Sequence, residues 1–372
     1  MLFKNIIGQE QIKKRLVRSV KENRISHAQL FLGPEGCGKL ALAIAYAQFI
    51  SCNDRKENDS CGLCKSCVKF EKLAHPDLHF LYPFSALKDK PVSTSFIAAW
   101  RSLLLENNCY ITLNEWYRAI GMDQKQGFIN ANDCNEVIKI LSLKSYESEY
   151  KVMIIWMIEK LFHAAAPKLL KILEEPPDKT LFLLVCENHN QVISTILSRT
   201  QTIKIPRILD KDLMHALVHN YELPSKRANE IVRMAEGNYH EAIMLAGNSS
   251  DDENFTLLRD WMRMCYKDSV AELIGWIDKL PKMGRENQKS FLLNAIRVFR
   301  ECILVSTGKT ELLKSEGDER KFAVDFSPFI NARNTMQIIQ EFNDAIFHIE
   351  RNANPKILFL DLSLKMTELI KN

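Results

Sequence analysis

Nowhere in the 372 residues is there an apolar run of about eighteen residues, so no segment is expected to span a bilayer. The opening residues, Met1-Leu2-Phe3-Lys4-Asn5, lack the apolar stretch and small-residue cleavage site of a secretory signal, and a cytoplasmic protein is expected. An excess of either charge is also missing. Fifty Lys and Arg face 46 Asp and Glu, and the formal net charge of +4 permits a nucleic-acid partner without demanding one. Internal repeats and low-complexity tracts are absent. The remainder, 46% hydrophobic and 26% charged, has the proportions of an ordinary globular protein with room for more than one domain.

Short apolar runs alternate with helical patterns over the first two hundred or so residues, which predicts a parallel α/β sheet. Candidate strands are Ala28–Leu32, Leu78–Leu81, Val152–Ile158, Leu181–Cys186 and Thr202–Ile205, rich in Val, Ile, Leu and Phe as strands buried on both faces are. After Pro206 the spacing becomes helical. Ile338, Phe342, Ala345, Ile346 and Ile349 share one helix face, and Pro355 opens or precedes a last helix over Lys356–Ile370. The expected division is an α/β domain over 1–206, a small helical lid over 207–250 with a break at Gly237-Asn238, and a helical domain over 251–372. Residues 84–128, with Trp100, Leu103–Leu105, Trp116 and Tyr117, read as a helical insertion with no evident function.

Gly33-Pro34-Glu35-Gly36-Cys37-Gly38-Lys39 follows a strand and precedes the helical run Ala41–Ile50, the position of a phosphate-binding loop. In such loops Gly33, Gly36 and Gly38 let backbone N–H groups face phosphate oxygens, and Lys39 reaches the outer phosphates. The alternative is a tight strand-to-helix turn without ligand. Two chemical groups are missing. Where a Ser or Thr hydroxyl would bind Mg²⁺, the chain has Leu40. Where a strand-end Asp and Glu would hold Mg²⁺ and orient water, it has Trp156-Met157. Glu159 lies too far along to substitute and reads as a solvated residue at a helix start. Both losses predict an idle loop that supports neither metal-dependent hydrolysis nor firm ATP binding.

Cysteine is clustered. Cys52, Cys61, Cys64 and Cys67 form C-x8-C-x2-C-x2-C across a polar loop, a spacing that can enclose a tetrahedral structural Zn²⁺ with no open position. Free buried cysteines would sit in apolar surroundings, and a redox pair would use two thiols. Cys37, Cys109, Cys134, Cys186, Cys265 and Cys302 are scattered and read as core; His27 and His75 read as structural. Arg199, in Ser198-Arg199-Thr200, follows a short helix over Ile193–Leu197. It is either a helix-terminal cation, stabilising by up to about 1 kcal/mol, or an arginine finger for a neighbouring NTPase, and its surroundings do not choose.

Several segments together resemble bacterial clamp-loader subunits of DNA polymerase III, which are AAA+ proteins: Phe3–Glu10, Arg24–Ala28, Gly33–Lys39, the cysteine spacing, and His75-Pro76-Asp77. Leu169-Leu170-Lys171-Ile172-Leu173-Glu174-Glu175-Pro176-Pro177 looks like the family's LLKxLEEPP segment. Ser198-Arg199-Thr200-Gln201 is similar to its SRC motif, with Thr for Cys, and Asn352–Lys356 resembles the opening of its last helix. The match runs from residue 3 to about 365, interrupted by 84–128. Leu40 and Trp156-Met157 depart from the ATPase pattern as the non-catalytic δ′ type does, and His240 stands roughly where ATPase members carry a lid arginine. The resemblance implies an AAA+ domain with a zinc module at 52–67, a lid, and a C-terminal collar in a multi-subunit ring with γ/τ and δ subunits. It implies that Arg199 completes a neighbour's ATPase site in trans while the ring loads a sliding clamp onto primed DNA. Alternatives are a γ/τ-type ATPase with an unusual magnesium site and a zinc-anchored DNA adaptor outside any ring.

Overall fold

The computed structural model describes all residues except 86–91, 123–125, 248, 249, 268, 314, 316, 332, 352 and 372. Parts of the 84–128 stretch, the end of the expected lid and Asn352 therefore lie outside the described residues. The chain forms two compact units, Met1–Glu222 with Ala235–Ala242, and Leu223–Met234 with Ile243–Asn372. No described helix is long and apolar enough to cross a membrane.

The first unit is built on five strands: β1 (Ala28–Leu32), β2 (Leu78–Leu81), β3 (Lys151–Trp156), β4 (Thr180–Cys186) and β5 (Gln201–Lys204). They pair in the order β2-β3-β4-β1-β5, every pairing parallel. Every residue of β3 and β4 is buried, because helices cover both faces of the central strands. In β5, at the edge, only Ile203 is buried. The strand expected over Val152–Ile158 ends early. Met157 takes a left-handed backbone (φ 57°, ψ 55°), which breaks the strand, and Ile158–Lys160 turn as a 3₁₀ helix.

Register sets the geometry of the candidate site. Leu32 pairs with Cys186, and Trp156 with Val185. The loop after β1, the Glu187 turn after β4 and the Trp156-Met157 turn after β3 consequently share one sheet edge. In open α/β sheets, ligands bind outside this carboxyl edge. Helix Lys39–Ser51 follows the loop and is buried at all thirteen positions, consistent with its apolar sequence on every face.

The segment between β2 and β3 packs an aromatic cluster against the sheet. Phe84 and Phe128 exchange backbone hydrogen bonds of 3.3 and 3.0 Å and close its base. Helices Ile97–Glu106 and Leu113–Ala119 supply Trp100 and Trp116, both fully buried, with rings 5.0 Å apart. Trp100 stacks on Tyr82 at 4.3 Å and meets Trp156 at 5.1 Å. These two helices thus lie between β2 and β3, and through Trp100 they pack onto Trp156 at the end of β3.

The second unit is helical. Its core holds Trp261 stacked on Trp276 at 5.3 Å, with Phe291, Phe299, Phe342 and Phe359 packed around them. Trp261 Nε1 donates to Ser363 Oγ at 2.8 Å, so the buried indole is satisfied. Ile338, Phe342, Ala345 and Ile349 do form one buried face, and the last helix begins at Pro355.

Candidate functional site

The glycine loop has the backbone of a phosphate loop. Gly36 (φ 68°) and Gly38 (φ 85°) are left-handed, a conformation that side chains resist, and the following helix opens at Lys39. The groups that would meet phosphate are already engaged. Lys39 Nζ lies 2.8 Å from Glu187 Oε1 and donates to the Pro34 carbonyl at 3.0 Å. Burial disfavours the Lys39 ammonium, but Glu187 foremost, with Cys37 and Glu35, more than offsets this and holds the lysine pKa above its ordinary value. Burial raises the pKa of Glu35 in the same loop, and Glu187 adds to the rise.

Leu40 and Trp156 are core residues, 4% and 2% exposed, and neither side chain offers an oxygen to a metal. Glu159 is not solvated, contrary to expectation. Its Oε1 accepts the Glu187 N–H at 2.8 Å, and its Oε2 is buried without a partner. Burial raises its pKa, as expected of a carboxylate packed beneath the β4 turn. Sequence reasoning also missed Glu187. Its position directly after an apolar strand was the available signal, but pairing it with Lys39 requires the β1–β4 register.

The insertion contributes two further groups. Glu115 Oε1 meets His240 Nε2 at 2.8 Å. Burial disfavours both charges, yet their mutual contact keeps Glu115 below the ordinary carboxylate range and His240 above that of histidine. Tyr110, buried, accepts the Ile7 N–H at 3.1 Å and lies edge-on to Tyr239 at 4.7 Å.

Cys52, Cys61, Cys64 and Cys67 converge with all sulfurs within 4.8 Å of one another. The separations Cys52–Cys61, Cys61–Cys67 and Cys52–Cys64 are 3.6, 3.8 and 4.0 Å. A tetrahedron with metal–sulfur bonds of about 2.3 Å has edges of about 3.8 Å, so the four residues fit a metal ion. Backbone N–H groups of Cys61, Leu63, Cys64 and Cys67 point at the sulfurs from 3.3–3.4 Å, which favours thiolates. Asp59, in the connecting loop, accepts the Phe3 and Lys4 N–H groups at 3.0 Å each and ties the cluster to the N-terminus. The six other cysteines are buried and dispersed.

His75-Pro76-Asp77 has a structural role. The Asp77 carboxylate accepts the N–H groups of Tyr146, Glu147 and Ser148 at 2.6, 2.9 and 2.8 Å, which folds the approach to β3. Burial raises its pKa, but these bonds outweigh it and hold the pKa below the ordinary value. Asp77→Ala should therefore destabilise the first unit by about 2–3 kcal/mol, the magnitude for hydrogen bonds to a charged group, measured by urea unfolding. The sign follows from the depressed pKa. The stabilisation is full above the unfolded Asp value of about 3.9 and is lost as pH falls through the folded value.

Arg199 follows helix Ser194–Leu197 and is partly exposed. It donates to the Thr195 carbonyl at 3.0 Å and pairs with Glu174 of the LLKxLEEPP-like segment. It is therefore held in place at the surface without being enclosed.

The family model described as DNA polymerase III, delta subunit, matches residues 8–209, more than half of the chain. The chain belongs to that family. The clamp-loader AAA+ resemblance carried by Gly33–Lys39 and Leu169–Pro177 is borne out at that level. Subunit delta′ of DNA polymerase III from Bacillus subtilis is 27% identical over 246 residues, 66% of this chain and 61% of that one. Subunit tau from the same organism is 23% identical over 380 aligned positions, 96% of this chain and 60% of that one. A DNA polymerase III, gamma subunit-related protein from Thermotoga maritima, 13% identical, superposes with a TM-score of 0.43 over 96% of this chain and 99% of that one. The chain spans about three fifths of the length of the two curated relatives it matches.

Proposed function

We propose that this chain is a δ′-type clamp-loader subunit that does not hydrolyse ATP, acts in the cytoplasm, and offers Arg199 to a neighbouring γ/τ-type ATPase. Its partners on this reading are γ/τ and δ subunits, with the sliding clamp and primed DNA engaged through the assembled complex. Zn²⁺ is the ion for the four cysteines. Bound there it would supply a rigid cross-link and no chemistry, since four thiolates leave no open position.

The supporting observation is the carboxyl edge of the sheet. Both places where Mg²⁺ ligands belong are held by apolar residues buried in the core, Leu40 and Trp156. Lys39, the cation that would meet the phosphates, is neutralised by Glu187. Phosphoryl transfer depends on positioning and charge neutralisation by these groups, so their replacement removes the catalytic basis.

Alignment with tau over 96% of the chain favours a second reading, an ATPase with an unusual magnesium site. One experiment separates the two. Calorimetric titration of the zinc-loaded chain with MgATP should give no heat of binding. Clear binding followed by turnover by the chain alone would replace the first reading with the second.

A further inference from the structure

The insertion converges on the glycine loop from above. The Tyr110 hydroxyl lies 2.9 Å from where a side chain on Gly38 would begin, over the turn that opens helix Lys39–Ser51. The same hydroxyl accepts the Ile7 N–H, and the ring lies against Tyr239. Five residues further on, Glu115 divides its two oxygens. Oε2 accepts the Thr112 N–H at 2.8 Å and caps helix Leu113–Ala119. Oε1 reaches His240. Residues 235–242 also touch the loop directly: Tyr239 N donates to the Gly36 carbonyl at 3.2 Å, and Asn238 Oδ1 fills the place of a Gly36 side chain.

In phosphate-loop NTPases, the bound nucleotide joins the loop to the segments around it, which loosen when the nucleotide is hydrolysed or leaves. We propose that the segment Tyr110–Glu115 takes over that bridging role in this chain. It ties the N-terminal segment, the glycine loop and residues 235–242 into one arrangement that does not depend on nucleotide. The insertion is then a built-in clasp, anchored at its base by the Phe84–Phe128 pairing and in its core by Trp100 and Trp116. Trp156 supports it through Trp100, 5.1 Å away, so the end of β3 also seats the clasp. The inference is independent of any role for Arg199.

Amide hydrogen exchange of the full zinc-loaded chain, followed by mass spectrometry, tests it. Glu115→Gln keeps a capping side chain for its own helix but loses the charge that holds His240. Exchange in peptides covering 36–40 and 236–242 should rise roughly tenfold or more in this variant. In the unsubstituted chain, millimolar MgATP or MgADP should leave exchange in these peptides unchanged. Exchange within twofold of the parent in a folded Glu115→Gln chain would overturn the clasp, as would strong nucleotide-induced protection of 36–40 and 236–242 in the parent. Should Glu115→Gln lose cooperative unfolding, Tyr110→Phe, which removes the hydroxyl that lies over Gly38 and accepts the Ile7 N–H, is read in its place. For that variant, faster exchange at residues 6–8 and 36–40 supports the clasp, and unchanged exchange overturns it.

Discussion

Purified from cells, the chain should carry about one zinc ion, and Cys67→Ser should carry none. Cys67 is the most buried of the four thiols and adjoins the Cys61 sulfur, so its loss removes one vertex of the tetrahedron and exposes the rest. Structural zinc in small modules supplies about 10–16 kcal/mol of apparent binding free energy, as large as the stability of a typical domain. Segment 52–67 has little else to hold it. It contains no strand, and its helical part, the start of Lys65–Glu71, is too short to persist alone. Metal loss should therefore unfold the segment locally and release Phe3 and Lys4 from Asp59, while the sheet, whose core lies elsewhere, survives. Metal analysis and limited proteolysis read both effects, with cleavage between residues 53 and 60 accelerating more than tenfold on chelation. Full zinc content in Cys67→Ser, or unchanged cleavage of the metal-free chain, would sink the assignment.

What was legible in the sequence differs sharply from place to place. All but the edge strand β5 were readable within a few residues because each is a short, largely buried apolar run. The strand expected to run through Ile158 was overextended: nothing local marks Met157 as the left-handed residue that ends it, and an apolar run hides the turn. The cysteine cluster was legible because metal spacing is a local pattern. That Leu40 and Trp156 carry no metal-binding oxygen was visible in the sequence, but their structural setting was not. Only the tertiary packing shows that Trp156 seats the insertion and that Lys39 has found Glu187. Glu159 was misread for the same reason. A carboxylate in a turn looks solvated until the β4 turn packs over it. The contacts of Tyr110 and Glu115 link segments more than a hundred residues apart, and no periodicity within one segment encodes such a pairing.

Arg199→Ala should leave the chain folded and sharply slow ATP hydrolysis at the one site it adjoins in an assembled loader. Two magnitudes separate the possible roles of this arginine. Its link to Glu174 is a partly exposed ion pair, worth about 0–1 kcal/mol, and its position after a short helix adds no more than about 1 kcal/mol. A purely structural role therefore predicts a small stability change and normal turnover. An arginine finger contributes roughly 10³–10⁵ in rate, or about 4 kcal/mol or more of transition-state stabilisation. Arg199→Lys should rescue poorly, because a planar guanidinium can contact two phosphate oxygens at once and an ammonium cannot. In steady state the fall will be limited to the share of turnover at that site, so single-turnover measurement on the assembled complex is the sharper readout. Glu174→Gln provides the complementary test: it releases the guanidinium without removing it and should leave turnover intact. Unchanged hydrolysis by an intact Arg199→Ala complex would reduce Arg199 to a surface cation and sink its proposed role as a finger.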